Sequence, residues 1–256
     1  MADAVVTPDW NLPAGVHAFV TTRHGGHSSG AHASFNLGLH VDDDADAVAR
    51  NRASLKAELE RRSGGTALQL QWLQQVHGTA VWEVTAGSTE PPPKADAAYT
   101  TQSGIVLSVM TADCLPVLYC AKDGSEIAVA HAGWRGLCNG VLEAVVGKFK
   151  CAPADIRCWL GPAIGPCHFE VGDDVRQAFF MLSRGRDLPD TKAAFTPTKP
   201  DKWLADLYAL ARVRLRKAGI VDVTGDVQCT VCRNADYYSY RHAAVTGRFA
   251  TGIVKV

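Results

Sequence analysis

The chain has 256 residues, with 26 Lys plus Arg against 26 Asp plus Glu, and is 47% hydrophobic and 20% charged. That balance excludes a chain disordered throughout and supplies no basic excess for nucleic acid or an acidic membrane. No run reaches the ~20 apolar residues of a membrane helix, and the first fifteen residues, with Asp3, Asp9 and two prolines, contain no signal-peptide core. A cytoplasmic protein is expected, with its eight Cys reduced.

In chain order, residues 16–20 form the first expected strand. Asp42-Asp43-Asp44 supplies cap chemistry for a helix that runs to Arg62 and stops at Gly64-Gly65. Val48, Leu55 and Leu59 mark its apolar face, and Glu58 and Arg62 form an i,i+4 pair. Short apolar or β-branched runs at 68–73, 80–84, 105–109, 116–120 and 127–131 read as strands, with the proline-rich segment 88–94 as a surface loop. A second helix is expected over 137–149, where Leu137, Val141, Val145 and Phe149 recur at i+4 steps. Residues 156–160 read as a strand. A third helix starts near Asp173, with Val175, Ala178, Phe179 and Leu182 on one face. Residues 187–200, with three prolines, are expected to be a loop. A fourth helix is expected over 201–217, with Leu204, Leu207, Ala211 and Leu215 inward and Gly219 as its stop. Residues 226–229 and 252–256 complete the strands. Several strands follow one another between 68 and 131, which argues for an α+β fold with a mixed sheet rather than a doubly wound one.

Three constellations carry possible chemistry, each at the end of an apolar strand. Ala130-His131-Ala132-Gly133-Trp134-Arg135-Gly136 ends a strand in glycine and opens into a helix, where free N–H groups and the Arg135 fork suit an anion. Thr111-Ala112-Asp113-Cys114-Leu115-Pro116 places a thiol beside an acid at a strand junction, where Gly or Asn would serve a plain turn better. Gln74-Gln75-Val76-His77-Gly78 places a His at a third strand end. One Cys and two His are zinc-type ligands, and three protein ligands leave a coordination position open. The gaps of 37 and 17 residues match no short metal motif, so the residues allow a site without requiring one. The Gly-, Ser- and His-rich run 21–30, with Arg23, leads to Ser34-Phe35-Asn36-Leu37-Gly38 and reads either as a substrate loop or as an idle polar loop.

Other features have plainer or open readings. Cys120, Cys138, Cys151 and Cys158 read as small buried hydrophobes. His168-Phe169-Glu170 with Cys229-Thr230-Val231-Cys232 mimics a zinc nucleobase deaminase signature, but no Pro precedes Cys229 and the two parts lie far apart. Cys229 and Cys232 alone would need further ligands from elsewhere to hold a structural zinc, so they stay undecided, as does Cys167.

The runs QVHG, TADCLPVL, AHAGWRG, LGPAIGPCHFEVG and CTVCRNADYYSYRH with TGRFA, together with SFNLGLHV, resemble the YfiH/PgeF family over nearly the whole chain. That family was once called the laccase-domain or polyphenol oxidase family. The resemblance implies one domain over 1–256, folded as a mixed-sheet α/β/β/α sandwich. It implies a zinc-dependent purine nucleoside phosphorylase with adenosine deaminase activity, acting on adenosine, inosine, guanosine and methylthioadenosine with phosphate, and a bacterial branch linked to peptidoglycan editing. The family's zinc ligands fall on His77, Cys114 and His131. Asp113 is then a neighbouring acid or general base, and Arg23, Ser34, Asn36, Arg135 and Arg241 are substrate or phosphate candidates. Two departures from the family pattern, at Asp42 and at Asn234-Ala235-Asp236, touch loop detail.

The rival readings are a cysteine or zinc hydrolase, with Cys114 as nucleophile and His131 or His77 as base, a copper-dependent polyphenol oxidase, and a zinc scaffold without activity. The oxidase fits poorly, because the chain has no His-x-His and only three Met. No nucleic-acid or membrane partner is expected, and the chain is expected to be a monomer or a weak oligomer.

Overall fold

The computed structural model describes residues 3–87, 89–183, 185 and 187–256. One sheet contains β1 (Val5–Val6), β2 (Val16–Thr21), β3 (Gln69–Gln71), β6 (Ile105–Thr111) and β14 (Phe249–Lys255), in the order β1-β2-β14-β6-β3. A second contains β4 (Val81–Glu83), β5 (Ala97–Thr100), β7 (Leu115–Ala121), β8 (Ile127–Ala132), β9 (Ile156–Leu160) and β13 (Asp222–Thr224), in the order β13-β9-β7-β8-β5-β4. A small sheet, β10 (Glu170–Gly172), β12 (Lys202–Ala205) and β11 (Phe195–Lys199), flanks them. Both large sheets are mixed: β3–β6, β4–β5 and β9–β13 pair in parallel and their other pairs run antiparallel.

Side-chain alternation along the strands creates the layers, because successive residues point to opposite faces. On β6, Leu107 and Val109 join the cluster between the two sheets, while Val106 and Met110 face helix α1 (Ala45–Arg62) with Leu55 and Leu59. On β7, Leu118 and Cys120 face the intersheet layer, while Val117 and Tyr119 pack under α2 (Trp134–Asn139), α3 (Val141–Val146) and α6 (Leu207–Lys217). The strands are buried on both faces, which is why β7 and β8 read as nearly continuous apolar runs. The result is helix, sheet, sheet, helix, as expected. The remaining helices, α4 (Asp173–Leu182) and α5 (Asp187–Ala193), lie beside the small sheet.

Several boundaries differ from the sequence expectations. The second helix begins at Trp134 and divides at Gly140, whose φ of +102 breaks the ladder and lets α3 restart. The fourth helix begins only at Leu207, where Asp206 accepts from the Ala209 N–H. Leu204 instead belongs to β12, so its apolar match to the helical period is incidental. The expected loop 187–200 contains α5 and β11, since Pro197 sits on an edge strand that tolerates it. In place of a strand at 226–229 there is β13 and one bridge between Ala163 and Cys229. Within the expected loop 88–94, Ser88 lies outside the described residues, and residues 89–94 form no helix or strand beyond a Lys94 bridge to Gln74. The Glu58–Arg62 pair forms, with 2.6 Å between Nε and Oε1.

Candidate metal centre and active site

The fold brings His77, Cys114 and His131 together from three strand ends. Cys114 immediately precedes β7, and His131 pairs with Pro116 across the β7–β8 ladder, so the two lie at one end of neighbouring strands. His77 arrives on the loop after β3. Gln75 clamps that loop to β6: its Nε2 donates to the Met110 carbonyl and its Oε1 accepts from the Met110 N–H, both at 2.8 Å. The Cys114 Sγ and His77 Nε2 atoms are 3.8 Å apart, and the ligand atoms of all three residues lie within 4.8 Å of one another.

Asp96, which no motif marked, organises this cluster. Its buried carboxylate accepts N–H bonds from Val76 at 3.2 Å, His77 at 2.8 Å and Gly78 at 2.7 Å. It also accepts from Nδ1 of His131 at 2.9 Å. An ionised carboxylate only accepts, so Nδ1 of His131 carries a proton and Nε2 is the ring nitrogen left to face a ligand. One acid thus sets the loop that carries His77 and the tautomer of His131.

Burial would push the Cys114 thiol up, but the His131 and His77 imidazoles outweigh it and hold the thiol well below its ordinary value. Burial lowers His131 in turn, and Cys114 and Asp96 more than reverse this. His77 and Asp113 hold φ of +60 and +100, conformations that L residues adopt only where surroundings enforce them. Around Gly133 the packing is tight. A Cβ there would lie 2.8 Å from His77 Cδ2 and 3.0 Å from Cys114 Sγ, so the glycine leaves room for the cluster.

The cluster opens into a cavity of about 480 Å³. Trp134, Phe169, Ile164, Met110 and Tyr240 give it apolar and aromatic walls, and Arg135, Arg241 and Arg248 line it with cations. Among the described residues none of these three guanidinium groups lies within 4.0 Å of a carboxylate oxygen. Arg135 lies 4.4 Å over the Trp134 ring. Arg241 donates to the carbonyls of His168 and Glu170 at 2.9 and 3.2 Å.

Asp113 lines the same cavity with both carboxylate oxygens engaged, accepting from the Thr230 hydroxyl and the Arg241 N–H at 2.6 Å each. Arg23, Ser34 and Asn36 do not line this cavity. Arg23 donates to Ala33 and Asn234 carbonyls, Ser34 bridges Gly26 and Arg23, and the fully buried Asn36 accepts from the Arg248 N–H at 2.8 Å. Asn36 therefore touches the cavity only through the backbone of Arg248. Sequence reasoning overlooked Arg248, Gln75, Phe169 and Tyr240, although each sits inside or beside a run already singled out.

Among the other thiols, Cys120, Cys138 and Cys158 are buried and Cys151 is partly exposed. Burial pushes Cys120 up to about 12 and Cys151 up to about 11, as expected of inert thiols. Among the described residues no helix is long and apolar enough to cross a membrane.

The sequence model of a family described as "Multi-copper polyphenol oxidoreductase laccase" matches residues 17–255. A purine nucleoside phosphorylase of Pseudomonas aeruginosa is 45% identical over 250 residues, 97% of each chain. The purine nucleoside phosphorylase YfiH of Escherichia coli K12 is 45% identical over 249 residues, 97% of this chain and 98% of its own length. Among solved structures, a Neisseria meningitidis protein matches with a TM-score of 0.89 at 42% identity, covering 99% of both chains. YlmD from Geobacillus stearothermophilus matches with a TM-score of 0.84 at 32% identity, covering 94% of this chain and 92% of that one.

Proposed function

The chain belongs to the YfiH family, described as multi-copper polyphenol oxidoreductase laccases, and from that premise we propose that it is a cytoplasmic, zinc-dependent purine nucleoside phosphorylase with adenosine deaminase activity. Its substrates are adenosine, inosine, guanosine and methylthioadenosine, with phosphate. The observation that carries this reading is the Cys114, His77 and His131 cluster at the base of a cavity with aromatic walls and three cations free of carboxylate partners.

The donor set fits zinc: two imidazoles, one low-lying thiol and a carboxylate behind one imidazole. When bound, zinc supplies Lewis-acid polarisation of an oxygen at the open position. The chain's own residues do the rest. Phe169, Trp134 and Tyr240 offer ring faces to a purine. Arg135 and Arg248 hold phosphate, and Arg241, anchored by two carbonyls, lines the same wall. In phosphorolysis a phosphate oxygen bonds to ribose C1′ as the C1′–N9 bond breaks. The base leaves with the electron pair, and the guanidinium groups hold phosphate beside the oxocarbenium-like carbon. Asp113 accepts one hydrogen bond on each oxygen, from the Thr230 hydroxyl and from the Arg241 N–H, and so positions both segments at the cavity wall.

Copper oxidation is a poorer match for the residues. Among the described residues two clusters of metal-ligating side chains occur, and together they contain three His, whereas multicopper chemistry needs many closely spaced ones.

A second reading draws on a different observation. Cys114, His131 and Asp96 are ordered as thiol, imidazole and carboxylate, the arrangement of a cysteine hydrolase such as a peptidoglycan-editing amidase. Product analysis separates the two. Incubating protein with adenosine, with and without phosphate, and following adenine, ribose 1-phosphate, inosine and ammonia tests the phosphorylase. Ribose 1-phosphate that depends on phosphate supports it, and ammonia with inosine supports the deaminase. No product in either arm defeats both and promotes the hydrolase.

A further inference from the structure

Cys167 and His168 lie in the turn after β9, and Cys229 and Cys232 lie in the irregular segment after β13. Two backbone bonds join these stretches: the Ala163 N–H donates to the Gln228 carbonyl at 3.2 Å, and the Thr230 N–H donates to the Ala163 carbonyl at 3.0 Å. A Cβ on Gly165 would lie 2.9 Å from Cβ of Cys229, so the bare glycine admits the second stretch. Residues 61 positions apart thereby meet. Cys167 Sγ is 3.6 Å from Cys232 Sγ. His168 Nδ1 is 3.1 Å from Cys167 Sγ, 3.6 Å from Cys229 Sγ and 3.5 Å from Cys232 Sγ. All four ligand atoms lie within 4.8 Å of one another.

We propose that Cys167, His168, Cys229 and Cys232 form a second metal site, a closed structural zinc centre that staples the wall of the cavity. A tetrahedral zinc with Zn–S near 2.3 Å and Zn–N near 2.0–2.1 Å has S···S edges of about 3.8 Å and S···N edges of about 3.6 Å. Three of the four spacings above fall within about 0.2 Å of those edges, the tolerance expected of a genuine site. Cys229 and Cys232 supply a Cys-x-x-Cys pair, and the missing half, which the sequence alone did not supply, is the adjacent Cys167-His168. A disulfide would use only two of these four groups.

Four protein ligands fill the shell, which makes this centre structural, in contrast to the three-ligand cluster facing the cavity. Metal binding displaces the thiol protons to solvent. The consequence reaches the cavity through the main chain. His168 and Glu170 offer the carbonyls that hold Arg241, and Thr230, next to Cys229, donates to Asp113. This centre stands independently of the proposed reaction.

Metal counting on the full chain tests it. Protein purified under reducing conditions is loaded with zinc, dialysed and analysed for metal per chain; a parallel sample is loaded with cobalt. The expected counts are two equivalents in the wild type, one in Cys114→Ser and one in Cys167→Ser/Cys232→Ser. Cobalt-loaded Cys114→Ser should show intense thiolate-to-metal charge transfer and tetrahedral d–d bands, and a chelator should lower its melting temperature. His168→Cys should keep the second equivalent with a shifted cobalt spectrum. If the double variant does not fold, the count on Cys114→Ser decides. Zero equivalents in Cys114→Ser, an unchanged count in a folded double variant, or a disulfide among these cysteines in reduced protein would each overturn the proposal.

Discussion

Oδ1 of Asp96 accepts from Nδ1 of His131 at 2.9 Å and from the backbone N–H of His77 at 2.8 Å. One buried oxygen therefore touches two of the three residues that converge at the base of the cavity. Replacing Asp96 with Asn puts an NH₂ donor among groups that already donate. Removing such an outer partner typically weakens metal affinity ~10–100-fold. Competition with a chromophoric chelator should show a loss of that size in Asp96→Asn, and unchanged affinity would deny Asp96 its role.

Gly133 gives a steric test of the same cluster. Its backbone, at φ −60 and ψ 157, accepts alanine without strain, yet the added Cβ would press on His77 Cδ2 and Cys114 Sγ. Gly133→Ala should fold with near-native thermal stability and lose zinc from the cavity cluster. Full zinc retention in the folded variant would show that the cluster has slack that the distances do not allow.

Strand-end placement in the sequence made His77, Cys114 and His131 candidates, and the family resemblance singled them out as a set; in the fold His77 lies on the loop after β3, Cys114 between β6 and β7, and His131 within β8. Asp96 was not legible in the sequence, since Ala95-Asp96-Ala97-Ala98 carries no motif and gains meaning only when the 74–78 loop folds over it. Arg23 and Asn36 looked like substrate groups because they are polar residues in a glycine-rich run; the fold uses them to tie loops to one another. The helix period also misled at Leu204, where a hairpin with β11 outweighs a local match to α6. Sheet order and layer assignment followed from alternation on β6 and β7, but short edge strands such as β10 and β13 depend on their neighbours and leave little periodic signal.

Arg135 is the cavity cation best suited to a phosphate test. Its guanidinium stacks on Trp134 and makes no ion pair among the described residues. A lost charge-assisted hydrogen bond costs about 1.5–3 kcal/mol, so Arg135→Ala should raise the phosphate KM by roughly tenfold to a hundredfold, with little change in melting temperature. Unchanged kinetics at limiting phosphate would remove Arg135 from the anion site.

Glu126 supplies a pH test of stability away from the cavity. Burial raises its carboxyl, but the Tyr99 hydroxyl and the N–H groups of Lys150 and Cys151 more than compensate and hold it below the usual carboxylate range. A depressed carboxyl stabilises the fold fully above its unfolded value and loses that contribution as pH falls through its folded value. Glu126→Gln should lower unfolding stability by ~1.5–3 kcal/mol at neutral pH. The gap to wild type should narrow as pH drops below about 4. Urea titrations at both pH values read this, and a gap independent of pH would contradict it.

The most direct test of the central claim is the rate of hypoxanthine release from inosine by the zinc-loaded protein, with phosphate varied and Cys114→Ala run beside it. The expected result is release that saturates with phosphate, yields ribose 1-phosphate in equal amount, and disappears in Cys114→Ala. Release that ignores phosphate, or that survives in Cys114→Ala, would contradict it.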